Sequence, residues 1–376
     1  MKKGKKPIGK PDKVLLLVTI LLIIIGIFYI ISASSRETVI RYDISMYYFF
    51  KKHIVILGAA LLASLIIFKV DTYKYKILSI PMFLGILSLF GYLAAKATIK
   101  RGSLGWFENG GQPSELAKPI IIVALAVLFN FYEQSKKYNK EYSFSKFHSL
   151  FILIGIVIPI ITFIMGDTGT ALLTIGIVMT MYIFGPLNNE NKIKGLGVFF
   201  LLFVIGISFL GFTKGRVLTE EQVSRFDFYD PCSKYETSGY QICNGLIGMN
   251  DGGIFGLGLG KSKQKYSYIP DPHTDSIYAI VVEESGLKIG LLILILYYVM
   301  IMRILKIAYE TKKSRNRYIC IGIAAYLFFH ILFNLGGLLA IFPLTGVPLP
   351  LISYGGSFTI SFIASLAVVQ RIKMEI

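Results

Sequence analysis

The sequence predicts an all-α integral membrane protein of ten transmembrane helices. Both termini lie in the cytoplasm, and one large outer loop separates spans seven and eight. Three observations carry this expectation. Hydrophobic residues make up 54% of the 376, and the mean hydropathy is +0.65. Charged residues make up only 16%, against about 25% in soluble domains. Apolar runs of about 20 residues, the length that crosses a bilayer as a helix, recur along the whole chain.

In order, the runs fall near 14–32, 53–70, 77–97, 113–132, 147–165, 168–185, 195–213, 276–302, 317–340 and 346–370. The first follows a Lys-rich start and precedes Ile31-Ser32-Ala33-Ser34. Cleaved signal peptides share that layout, but this run exceeds their apolar core of about 7–15 residues and reads as an uncleaved span. The eighth run, from Ser276 to Met302, is too long for one straight span. Gly286 breaks it into a short outer helix and a membrane helix.

Orientation follows from the cations. With the N-terminus inside, most of the 39 Lys and Arg fall in the inner segments, as the positive-inside rule requires. The outer loop at 214–274 has no net charge. The formal charge of +17 is thus a topology signal, scattered in short segments between apolar runs, and nucleic acid is excluded as a partner. The chain divides into a basic tail (1–13), one membrane domain (14–371) and a short tail (372–376). No P-loop or dinucleotide fingerprint appears, which argues against ATP-driven transport.

Of the three cysteines, Cys320 lies in the ninth span and reads as a small apolar residue. Cys232 and Cys243 share the outer loop, where oxidation is allowed. They form either a disulfide or two free thiols. With His273 they do not make a zinc pattern.

The chemistry gathers at Gly252–Gly286. This stretch is polar and Gly- and Lys-rich, and it ends in His273-Thr274-Asp275 just before the chain turns apolar. An acid at the mouth of a span is a functional candidate. Asp275 either caps the eighth helix, where the dipole favours it, or acts as a general base. Glu283 follows at i+8 on the same face. Glu284 and Lys288, at i and i+4, read as a neutralising pair. Lys261, Lys263 and Lys265 are either a solvated basic loop or, with the glycines and Gln264, a cradle for a diphosphate; Arg101 lies on another outer loop. At the start of the fourth span, Glu115 and Lys118 are spaced to pair at i, i+3. They serve as packing glue, or one of them faces a cavity and holds a headgroup. Pro343, Pro348 and Pro350 forbid a regular helix in the last outer loop.

QPSELAK at 112–118, GTAL at 169–172, GGIFGLGLGKSKQKYSYIPDPHTD at 252–275 and LTGVPLPLISYGGS at 344–357 resemble the SEDS family (shape, elongation, division, sporulation). The four regions occur in the family's order across nearly the whole chain. YQICNGLIGMNDGG at 240–253 looks more like the FtsW and SpoVE branch than the RodA branch. The resemblance implies a ten-span glycosyltransferase that polymerises lipid II, with Asp275 as its essential acid and Glu115 and Lys118 as site residues. It also implies a class B penicillin-binding protein as partner, among other division or elongation membrane proteins. Three departures stand out: Pro270-Asp271 replaces Pro-Glu, Gly166-Asp167-Thr168-Gly169 replaces Pro-Asp-Leu-Gly, and Arg101-Gly102-Ser103 replaces an Arg-Trp-Ile-like segment.

The reaction expected is transfer of a sugar from one polyprenyl diphosphate to the hydroxyl of another at the outer membrane face. Asp275 takes the proton. Lys118, Lys265, Gln264 and Arg101, with Glu115, Asp271 and His273, contact substrate. A divalent cation, Mg or Mn, would be held by Asp275 or Asp271. A lipid II flippase and a non-catalytic scaffold are the rival readings. A flippase would line both leaflets with polar groups, whereas here they gather on the outer side.

Overall fold

The computed structural model describes residues 9–40, 43–96, 98–100, 103–107, 110–137, 144–197, 228–236, 239–266 and 268–376. Arg101, residues 1–8 of the basic tail, residues 198–213 of the expected seventh span and 214–227 of the outer loop lie outside these.

The helices are α1 (Lys13–Ile40), α2 (Tyr48–Lys69), α3 (Tyr75–Lys96), α4 (Pro113–Lys137), α5 (Phe144–Ile164) and α6 (Thr168–Phe184). After them come α7 (Tyr240–Gly252), α8 (Ile277–Ser285), α9 (Leu287–Glu310), α10 (Ser314–Leu338) and α11 (Gly356–Met374). Eight of these are long and apolar enough to cross a bilayer, and α6 is a shorter apolar helix.

Two features depart from the sequence reading. A two-stranded hairpin, β1 (Thr98–Lys100) and β2 (Ser103–Trp106), follows α3; strands this short leave no periodic signal. The last helix begins at Gly356, ten residues beyond the expected 346. Segment 341–355 stays irregular, because Pro348 and Pro350 have no amide hydrogen to give and Leu351 takes a positive φ of 64°.

The bundle is graded from lipid to core. Outward faces carry exposed apolar residues such as Leu17, Ile24, Val55, Leu62 and Ile80. By contrast α4, α10 and α11 are the most enclosed spans, 61–67% buried. They pack on one another, with α10 also against α6 and α9, and α11 against α2. Polar side chains concentrate on these three: Glu115 and Lys118 on α4, His330 and Asn334 on α10, Thr359, Ser361 and Ser365 on α11. Ser361 donates to the Glu115 carbonyl at 2.7 Å, so a buried polar group is satisfied across helices.

The first described residues, from Gly9, meet the C-terminal end of the chain at one end of the bundle. The Gly9 amide donates to the Met374 carbonyl. Asp12 caps α1 through the Leu15 amide, pairs with Arg303 and is bracketed by the Gln370 side chain.

The break at Gly286 falls where the sequence put it, between α8 and α9. Segment 253–258 is stitched to it by backbone bonds from Leu257 and Gly258 to the Glu283 and Glu284 carbonyls, and from Leu287 to Gly253. The approach is close enough to require glycine. Gly256 has φ 84°, and a Cβ there would lie 2.3 Å from the Glu284 oxygen. Gly256→Ala is expected to cost about 2 kcal/mol or more, read as a lower unfolding midpoint of the detergent-purified protein. An unchanged midpoint would show that this junction yields freely.

Candidate functional site

The turn at 271–274 sets up the acid. Asp271, at φ 44°, accepts at its carbonyl from both the amide and the hydroxyl of Thr274. The same hydroxyl lies 2.8 Å from Asp275 Oδ1, so its one hydrogen is shared between the two acceptors. Asp275 is 8% exposed. Its Oδ2 accepts no hydrogen bond among the described residues and faces Gly346, where a Cβ would lie 3.9 Å away. The cap reading does not hold: α8 starts at Ile277, its N-cap is Ser276, and no side chain caps it. Asn334 locks the turn in place by donating to the carbonyls of Asp275 (2.7 Å) and Val347 (2.8 Å). His273 clamps the other side: its ring packs on Phe49 at 4.0 Å, and its carbonyl accepts from Tyr354.

Thr274 and Gly346 line a cavity of about 130 Å³ whose other walls include Glu115, Asp167, Thr170 and Ser357. Asp167 is fixed by Gln112, which donates to it at 2.6 Å, and caps α6 through the Thr170 amide. Gln112 is in turn tied to Ser357. Glu115 Oε1 accepts from Lys118 at 2.6 Å, and Oε2 is buried with no hydrogen-bond partner among the described residues. Lys118 is 1% exposed and lies behind Glu115, not in the cavity wall. Its ammonium also reaches His330 Nε2 at 3.2 Å. An ammonium has only donors, so Nε2 accepts and Nδ1 carries the hydrogen, toward the Pro348 carbonyl at 3.3 Å.

A second, larger space of about 930 Å³ adjoins the first. It runs between α2 and α11 and is lined by Tyr48, Lys51, Lys52, Val55, Ile56 and Ile360. Trp106, Thr274, Tyr354, Gly355, Gly356 and Ser357 line both spaces. Burial pushes the Tyr354 phenol above its usual pKa, against the opposing charge of Lys52, so it stays a neutral donor.

Lys265 and Gln264 are placed elsewhere. Lys265 is 4% exposed and pairs with Glu284 at 2.8 Å. Glu284 also accepts from Ser32. Glu283 accepts from Ser262 and from the amides of Lys263 and Gln264. These acids hold the 261–265 loop against α1 and α8, so the expected Glu284–Lys288 pair does not form; Lys288 lies over the Phe255 ring instead. Neither Lys265 nor Gln264 lines either space. Of the expected site residues that are described, only Glu115 lines the small cavity; Lys118 pairs with it from behind, and Asp275 lies next to the wall residues Thr274 and Gly346. Sequence reasoning placed Asp167 in a family-like motif without giving it a site role, and missed His330, Asn334, Lys51 and Lys52. His330 and Asn334 had a signal: two polar residues at i, i+4 inside an apolar run.

Cys232 and Cys243 are disulfide-bonded, joining a short 3-10 turn to α7. Among the described residues no three His, Cys, Asp or Glu side chains gather to hold a metal ion. A divalent cation at Asp275 or Asp271 would therefore share one protein carboxylate with substrate oxygens, as Mg2+ commonly does at phosphates.

Comparison with known proteins accords with this architecture. A family model described as "Cell cycle protein", named for FtsW, RodA and SpoVE, matches residues 12–376. The chain is 29% identical to the probable peptidoglycan glycosyltransferase FtsW of Bacillus subtilis (strain 168), over 98% of this chain and 92% of that one. It is 30% identical to stage V sporulation protein E of the same organism, over 96% of this chain and 97% of that one. A chain from a structure of a peptidoglycan synthase complex that coordinates polymerization and crosslinking superposes with a TM-score of 0.75 at 21% identity, covering 97% of this chain and 98% of that one. With eight apolar helices of spanning length, this is a multi-pass membrane protein, and it belongs to the FtsW/RodA/SpoVE family of cell cycle proteins.

Proposed function

We propose that the chain is a peptidoglycan glycosyltransferase that polymerises lipid II at the outer face of the cytoplasmic membrane, in cell division or cell-shape growth. The observation that carries this reading is Asp275, buried beside the cavity-wall residues Thr274 and Gly346, with one oxygen next to the Thr274 hydroxyl and the other without a hydrogen bond among the described residues. A carboxylate so placed can take a proton from a hydroxyl in the cavity. The acceptor's GlcNAc hydroxyl loses its proton to Asp275 Oδ2 and attacks the anomeric carbon of the donor MurNAc. The bond from that carbon to the diphosphate breaks with inversion, as in general-base sugar chemistry. Glu115 Oε2 and Asp167 accept hydrogen bonds from sugar hydroxyl or amide groups. Lys118 and His330 position Glu115.

Ten spans with both termini cytoplasmic would put Asp275 outside, in accord with the balance of Lys and Arg. The likeness to a chain of a peptidoglycan synthase complex supports a class B penicillin-binding protein as partner. The test is polymerisation in detergent, where there are no bilayer sides to cross. The purified chain with its partner is expected to convert lipid II into glycan polymer. Lipid movement across liposomes with no polymer under either condition would favour a flippase and reject this reading.

A further inference from the structure

The two joined spaces differ in charge. The small cavity is walled by the acids Glu115 and Asp167, and the large groove by the cations Lys51 and Lys52. Among the described residues the groove cations have no acid partner. Neither pairs with a carboxylate there; Lys52 meets Tyr48, over its ring at 4.3 Å and through its phenol. The two buried cations that the sequence nominated are already paired, Lys118 with Glu115 and Lys265 with Glu284. Below Lys51 and Lys52 the groove wall turns apolar at Val55, Ile56 and Ile360.

We propose, resting on the glycosyl-transfer reading above, that this groove is the donor site. Lys51 and Lys52 hold the diphosphate, and the prenyl chain lies along Val55, Ile56 and Ile360. A diphosphate would be repelled from the acid-walled cavity and attracted to the groove. The sugar then projects over the shared wall, where Thr274 presents Asp275. The assignment to the donor follows from charge flow. As the acceptor oxygen bonds to the anomeric carbon, the electron pair of the breaking carbon–oxygen bond goes to the diphosphate, while the hydroxyl proton goes to Asp275. Charge therefore grows on the group that leaves, and cations placed there stabilise the transition state. The acceptor's diphosphate gains none.

The chain has one tryptophan, and Trp106 lines this groove, so intrinsic fluorescence reports its occupancy. The full chain in neutral detergent, titrated with farnesyl diphosphate, is expected to give a saturable change. The affinity should be weaker by about tenfold or more in Lys51→Gln/Lys52→Gln. It should be kept in Lys51→Arg/Lys52→Arg and in Lys96→Gln, an exposed cation at the end of α3 on the same side of the bundle. Inorganic diphosphate, lacking the tail, should bind more weakly. Unchanged affinity in the Gln double variant overturns the proposal. So does an equal loss in Lys96→Gln, or an equal response to phosphatidylglycerol, which would mean a general anionic-lipid surface. In polymerisation assays the Gln double variant should lose kcat as well as raise KM. Wild-type turnover in that variant would refute the groove and leave glycosyl transfer standing. Binding as expected, with no polymer from the wild type, would refute glycosyl transfer and leave a diphosphate site.

Discussion

Asp275→Asn is expected to abolish glycan chain growth on lipid II while leaving the protein folded. The amide has the shape of the carboxylate, and its oxygen can still accept from Thr274, whose hydroxyl lies 2.8 Å from Oδ1. The bond from Asn334 goes to the Asp275 main-chain carbonyl, so it survives the change. What is lost is the basic oxygen: an amide cannot take a proton from a hydroxyl. A positioned general base contributes about 10²–10⁴-fold, so lipid II consumption should fall by at least about a hundredfold. The unfolding midpoint and recovery of the complex with its partner should match wild type. A variant that polymerises normally would remove Asp275 from the chemistry, and the cavity would need another base. Growth of cells carrying the variant at wild-type expression would favour the scaffold reading instead.

Eight of the ten expected spans were legible because the bilayer imposes a length and a polarity on every helix that crosses it. The break at Gly286 was legible too, since the eighth run was too long for one straight helix. What sequence periodicity could not show is which polar residues meet. Lys265 stands ten residues before Asp275 and was assigned to substrate. It folds back onto Glu284 instead, because an acid in that buried position needs a counter-charge. The pairing Glu284–Lys288 looked sufficient in one dimension, but Gly286 interrupts the helix that would have aligned the two. Glu115 and Lys118 were read correctly as partners because both lie on one unbroken helix. Lys51 and Lys52 carried no local signal, since two lysines at a helix start look like any membrane-interface cations. Only the packing of α11 against α2 turns them toward a groove.

The Glu115–Lys118 pair allows packing and function to be separated. Lys118→Met is expected to destabilise the protein by about 3–5 kcal/mol, because it strands the Glu115 charge among α4, α10 and α11. Lys118 is 1% exposed, so water cannot replace the ammonium without opening the bundle. His330 does not replace it either, since it accepts from Lys118 and has its own hydrogen directed at Pro348. Adding Glu115→Leu should restore most of that loss, because an apolar pair of similar volume removes both desolvated charges together. Thermal unfolding of the two single variants and the double variant closes the cycle. If the pair were packing glue alone, the double variant would regain activity with its stability. With Glu115 at the cavity and its Oε2 unpartnered among the described residues, the stable double variant should stay impaired in lipid II polymerisation, mainly through a raised KM. Glu115→Gln should show the same defect with a smaller loss of stability, since an amide next to Lys118 leaves only the ammonium unpaired. Full activity in the double variant would reduce the pair to structure and leave Asp275 and Asp167 as the only acids acting on the sugar.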